Sequence, residues 1–171
     1  MERWRRDARR TIALAAVMAA TAIGAGGCAR AGTSGDGGDN SYQTIVALRP
    51  DSTLRIARTQ LEHHNYRIGD AGPNAIVTLP APIPAYLQDK SAATQGRYWL
   101  LRVSAEPQTF GGGTKLTVVG YVLPSASRPA GAAPPPREAV VVTSANAALF
   151  AEVKAAGRWI QDEAWRNRKR R

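Results

Sequence analysis

An α+β domain is the fold this sequence predicts: an antiparallel sheet of about five strands, with an N-terminal helix and a long C-terminal helix packed on one face. Three observations predict it. Residues 97–123 alternate apolar and polar side chains on either side of Gly111-Gly112-Gly113, a period-two pattern with a glycine turn that marks a β-hairpin. After Asn146, apolar residues recur instead at steps of three and four through Leu149, Val153, Ala156, Ile160 and Ala164, the stripe of a helix lying on a core. The stretch from Ser41 to Asn167 is long enough for one modest core and not comfortably for two.

The elements follow in order. A first strand is expected near Gln43 to Leu48, ended by Pro50. Asp51 or Ser52 then caps a helix reaching about His64, with Leu54, Ala57, Leu61 and His64 on one face and Asn65 as a left-handed stop. Tyr66-Arg67-Ile68 begins a second strand, residues 69–74 read as a turn, and Ala75 to Leu79 as a third strand. Pro80, Pro82 and Pro84 predict a loop without regular structure reaching about Gly96. In the hairpin, Trp99, Leu101, Val103 and Ala105 take one face and Leu116 and Val118 continue it, the strand running on to Leu123. A second Pro/Ala/Gly-rich loop covers Ser125 to Pro136, and Ala139 to Thr143 is a last short strand. Ser144 or Asn146 opens the final helix, with Phe150, Trp159 and Trp165 beside its stripe and basic residues at its end.

Ahead of this domain the chain has a different character. Residues 1–10 carry five arginines against two acids, Thr11 to Ala25 is an apolar run, and Ala25-Gly26-Gly27 leads to Cys28. Positive, apolar, then small is the order of a secretory signal peptide. The apolar run is shorter than the ~20 residues of a permanent spanning helix. The segment resembles the lipobox of bacterial lipoproteins, in which a small residue precedes a cysteine that receives a diacylglycerol before a peptidase cuts ahead of it. That resemblance implies lipid on Cys28 and cleavage after Gly27, although Ala25 stands where the family prefers leucine. It also gives a use to the one cysteine of the chain, which has no disulfide partner. Arg9-Arg10 partly resembles a twin-arginine export signal, without the serine or threonine that usually precedes the pair, so the export route stays open. Ala29 occupies the position where some diderm bacteria use aspartate to retain lipoproteins in the inner membrane, and the resemblance therefore implies an outer-membrane location facing the periplasm if the host is diderm. The expected organisation is a signal peptide (1–27), a lipidated cysteine and Gly/Ser/Asp-rich tether (28–40), one α+β domain (41–167) and a basic tail (168–171).

Charge separates the candidate partners. The formal charge is +10, of which residues 1–27 hold +3 and Arg166 to Arg171 hold +5, leaving +2 between Cys28 and Trp165. The basic character belongs to two ends, not to a domain face, which argues against nucleic acid as the partner. The tail suits the negative end of a helix dipole. It also suits anionic headgroups, worth about 1 kcal/mol per basic residue near the surface. Trp159, Trp165, Arg166, Arg168, Lys169, Arg170 and Arg171 are therefore the candidate membrane or partner contacts.

Catalytic and metal-binding patterns are not recognisable. His63 and His64 are the two histidines, and neighbours on a helix point about 100° apart, which does not suit one metal. Gly111 to Lys115 has the order Gly-Thr-Lys ahead of a strand, unlike a phosphate loop opening a helix. Glu106, Glu138, Glu152, Asp162 and Glu163 form no pair across a legible cleft. The order of elements is similar to the small helix-grip domains of outer-membrane assembly lipoproteins; the likeness rests on element order and the signal, so no binding residues are carried over. The expectation is a membrane-anchored envelope lipoprotein with a non-catalytic binding or assembly domain, without cofactor or metal, and with an envelope protein or cell-wall component as partner. Two alternatives accompany it: a cell-envelope enzyme of unrecognised type, and an anionic-membrane module working through the tail.

Overall fold

In the computed structural model, which describes residues 38–88, 94, 97–109, 111–126 and 138–170, a seven-stranded antiparallel sheet carries two helices on one face. The strands are β1 (Tyr42–Val46), β2 (Ile68–Ala71), β3 (Ala75–Thr78), β4 (Ala81–Pro82), β5 (Tyr98–Pro107), β6 (Thr114–Leu123) and β7 (Val140–Val141). The helices are α1 (Pro50–His63) and α2 (Ala147–Lys169). The sheet order is β1-β6-β5-β3-β2; β4 extends the β3 edge of β5, and β7 pairs with β6 at the end opposite β1.

The β5–β6 hairpin is the spine. Its register runs unbroken from Tyr98↔Leu123 to Pro107↔Thr114. Gly111 and Gly112 turn the chain at φ values of 97° and 68°, which side-chain-bearing residues rarely adopt. The Gln108 amide donates to the Gly113 carbonyl across the turn.

Alternation along these strands decides which face meets the helices. Trp99, Leu101, Val103 and Ala105 of β5 pack in one cluster with Leu116, Val118 and Val122 of β6, Tyr42 and Val46 of β1, and Ile76 of β3. Leu54, Ile56, Ala57 and Leu61 of α1 cover them, together with Leu149, Phe150, Val153, Ala156, Ile160 and Ala164 of α2. Each fully buried branched or aromatic side chain contributes about 1.5–3 kcal/mol. The opposite face holds a smaller cluster of Val77, Leu100 and Leu123, flanked by Tyr98, Tyr121 and Ala139.

Several boundaries differ from expectation, each for a local reason. Pro50 does not end β1; it is the first residue of α1, with Arg49 as the cap, because a proline loses nothing where the helix amide has no partner anyway. Asp51 and Ser52 accordingly lie inside the first turn. The strand β1 starts one residue earlier than expected, at Tyr42, and ends two residues earlier, at Val46. Gly69 to Ala71 belongs to β2, not to a turn, and the pairing with β3 is irregular between Ile68 and Asp70. The proline-rich stretch after Leu79 is not devoid of regular structure: Ala81 and Pro82 pair with Trp99 and Tyr98, and Ala85–Leu87 forms a 3-10 turn. A proline is tolerated there because the strand lies at an edge, where its missing amide costs no ladder bond. The last strand shrinks to Val140–Val141. Asn65 stops α1 at φ 66°, as its position predicts.

The expected signal peptide, Gly27, Cys28 and the tether as far as residue 37 lie outside the described residues, as do residues 127–137 of the second loop and Arg171.

Candidate functional site

Two places on the helix layer concentrate polar and aromatic groups, and α2 reaches both. The helices run antiparallel, so the end of α1 meets the middle of α2. There the His64 ring stacks on Trp159 with centroids 3.5 Å apart and planes 7° from parallel. His63 meets His64 edge-on, with 5.3 Å between ring centroids and planes 83° apart. Two turns closer to the start of α2, the Tyr66 hydroxyl donates to Glu152 Oε2 at 3.5 Å, and its ring meets Trp99 edge-on at 5.9 Å. Sequence reasoning treated Tyr66 only as a strand start. Its partner stands 86 positions away in the chain, and no local pattern links them.

Burial pushes the Tyr66 hydroxyl above the ordinary tyrosine range, and the charge of Glu152 and the nearby Tyr86 hydroxyl push the same way. The group therefore stays protonated and acts as a donor. The consequence for stability has a definite sign. An unfolded chain loses a tyrosine proton near pH 10 while the folded chain keeps it, so stability present below pH 10 declines above it, by up to about 1.4 kcal/mol per pH unit. Tyr66→Phe is expected to flatten that decline in urea unfolding compared at pH 9, 10 and 11. An unchanged decline in the Phe variant removes Tyr66 as its source.

The second place is the C-terminal end of α2. The large apolar side chains left exposed among the described residues are Tyr86, Val140 and Trp165, the last at 49%. Arg168 and Lys169, three and four residues on, lie over the Trp165 ring with their charges 5.9 and 5.4 Å from its centroid. That spacing puts them on the same helix face. Arg166 turns away and pairs with Glu163 at 3.0 Å, while Asn167 Nδ2 donates to the Glu163 carboxylate and carbonyl, both at 3.0 Å. Arg170 is exposed just past the helix.

The predicted contact residues thus divide. Trp165, Arg168, Lys169 and Arg170 share one exposed end, Arg166 is tied to the helix surface, and Trp159 is half-buried under His64. Beside this end, Arg55, Ile56, Thr59, Gln60, Glu163 and Asn167 line an open groove of about 220 Å³ between the helices.

Elsewhere, buried hydroxyls serve the backbone: Thr53 and Thr114 donate to the Arg49 and Leu48 carbonyls, and Thr78 accepts from the Leu101 amide. Among the described residues, no three His, Cys, Asp or Glu side chains gather as metal ligands, and no helix is long and apolar enough to cross a membrane. Glu106 is exposed opposite Lys115 on the hairpin, and Glu138 is exposed ahead of β7.

No protein-family model matches this chain, and no curated protein is significantly similar to it.

Proposed function

We infer that this chain is an envelope lipoprotein, held on a membrane through lipid on Cys28, whose α+β domain is a non-catalytic binding or assembly module. The observation that carries the reading is the order of the first twenty-eight residues: arginines, an apolar run, small residues, then the single cysteine. Lipid attachment has a physical basis, since each buried methylene contributes about 0.8 kcal/mol and two or more acyl chains hold stably.

The domain supports the binding half of the reading in one respect. Three of its polar pairs are structural in character: Tyr66 donates to Glu152, and Arg58–Glu62 and Arg166–Glu163 pair along single helices, each at 3.0 Å. At the C-terminal end of α2 the exposed side chains are apolar and cationic, Trp165 with Arg168, Lys169 and Arg170, which suits recognition. Its partner on this reading is an envelope protein or cell-wall component.

The test is incorporation of radiolabelled palmitate in cells expressing the wild type and Cys28→Ala, followed by membrane fractionation. Label is expected in the wild type and lost in the variant, with the protein leaving the membrane fraction. Absence of label in both forms sinks the lipoprotein reading.

A further inference from the structure

We propose that the C-terminal end of α2 is a second membrane contact, with Trp165 seated at the headgroup level of an anionic bilayer and Arg168, Lys169 and Arg170 on its phosphates. This rests on the lipid-anchor reading and extends it from a tether to an orientation of the domain.

Three observations carry it. First, Trp165 is half exposed at the rim of a helix whose other large apolar side chains are packed, and an indole with a wet edge is suited to the interface between headgroups and acyl chains. Second, its surroundings are cationic. Arg168 and Lys169 flank the ring, and Arg170 follows. Of the acids near it in sequence, Glu163 is paired with Arg166, and Asp162 is exposed one turn back. Long basic side chains can lay their stems along the indole and keep their charges at the phosphates.

Third, the first strand of the domain packs on the same helix. β1 enters the domain at Tyr42, whose ring packs against Gly157 and whose hydroxyl donates to Gln161 Oε1. From Gly157 to Trp165 is about 12 Å of helix. The basic end therefore sits close to where the chain enters the described domain.

A flat anionic surface also fits better than a nucleic acid. Charge between Cys28 and Trp165 is only +2, too little for a basic track across the domain, whereas a bilayer can engage the tip of one helix alone.

The experiment uses the full acylated chain in vesicles containing brominated lipid, of anionic or zwitterionic composition. Quenching of Trp165 is read as the difference from Trp165→Phe. Quenching is expected in anionic vesicles, is expected to weaken in high salt, and should be absent in zwitterionic ones. Replacing Arg168, Lys169 and Arg170 together by glutamine should lower the docked-to-undocked ratio on the order of a hundredfold, about fivefold per charge. Circular dichroism checks that this surface variant is folded. Unquenched Trp165 in a chain that still floats with anionic vesicles overturns the docking proposal and leaves the anchor intact. A chain that does not float at all removes the anchor reading instead. Trp165 unquenched by lipid but shielded from iodide in whole envelopes would put a protein on this face, and also overturns the proposal.

Discussion

Replacing Gly157 by alanine is expected to destabilise the domain by about 2 kcal/mol or more, against the usual sign of a Gly→Ala change in a helix. In isolation alanine gains about 1 kcal/mol over glycine in a helix interior. Here a Cβ at 157 would come within 2.6 Å of Tyr42 Cγ and closer still to Cδ1 and Cε1. The ring cannot step aside easily. Tyr42 is 4% exposed, lies in β1 between the sheet and α2, and is held at its far end by Gln161. Overpacking of a well-filled core costs about 1–3 kcal/mol and occasionally more, and a Cβ placed on an aromatic ring belongs at the upper end. Urea unfolding should show a lower midpoint. In a Tyr42→Leu background the same Gly157→Ala change should cost little, because the obstructing ring is gone. Equal destabilisation in both backgrounds would show that the ring is not the obstacle.

The second large effect belongs to Leu101. Truncation to alanine is expected to cost about 2–5 kcal/mol, a large share of the 5–15 kcal/mol that holds a typical domain folded. Leu101 is fully buried on the central strand β5, facing the helices. Its cross-strand partner is Gly120, which has no side chain to relax into the space. The room above Gly120 is already filled by Val153 and Val142, whose methyls stand 2.7 and 3.1 Å from where a Cβ would be. The cavity should therefore persist, and its full cost should appear as a lower midpoint with an unchanged urea slope. Val140→Ala serves as the control: at 65% exposure it should stay within about 0.5 kcal/mol of the wild type. A Leu101→Ala variant as stable as that control would mean that the sheet and helices are not packed through this residue.

Much of this architecture was legible before any coordinate. The hairpin faces were readable because a strand's side chains alternate without exception: Trp99, Leu101, Val103 and Ala105 all turn to the helices. The stripe of α2 was readable because Leu149, Val153, Ala156, Ile160 and Ala164 keep the helical period over more than four turns, and all are buried. Asn65 was readable as a stop because few residues tolerate positive φ. Prolines were harder. Pro50 and Pro82 each have one meaning in isolation and another when the neighbouring element is known: a helix start in one case, an edge strand in the other.

The candidate site was legible only in part. Composition placed the cationic tail and the two tryptophans at the end of the chain, beside the apolar stripe of the last helix. It did not say which would be covered. Trp159 went under His64, and Trp165 stayed at the rim among Arg168 and Lys169. The Tyr66–Glu152 contact had no signal in the sequence at all.

The sequence by itself determined the kinds of element, their order and the side each buries, because these follow from local periods of two and 3.6 residues and from the turn chemistry of glycine, proline and asparagine. The tertiary structure alone decided that α1 runs antiparallel to α2, that Tyr42 needs a glycine at 157, and that Trp165 remains exposed. Those outcomes depend on side chains separated by up to 119 positions in the chain. Close packing sets such pairs only once the sheet and both helices are in place.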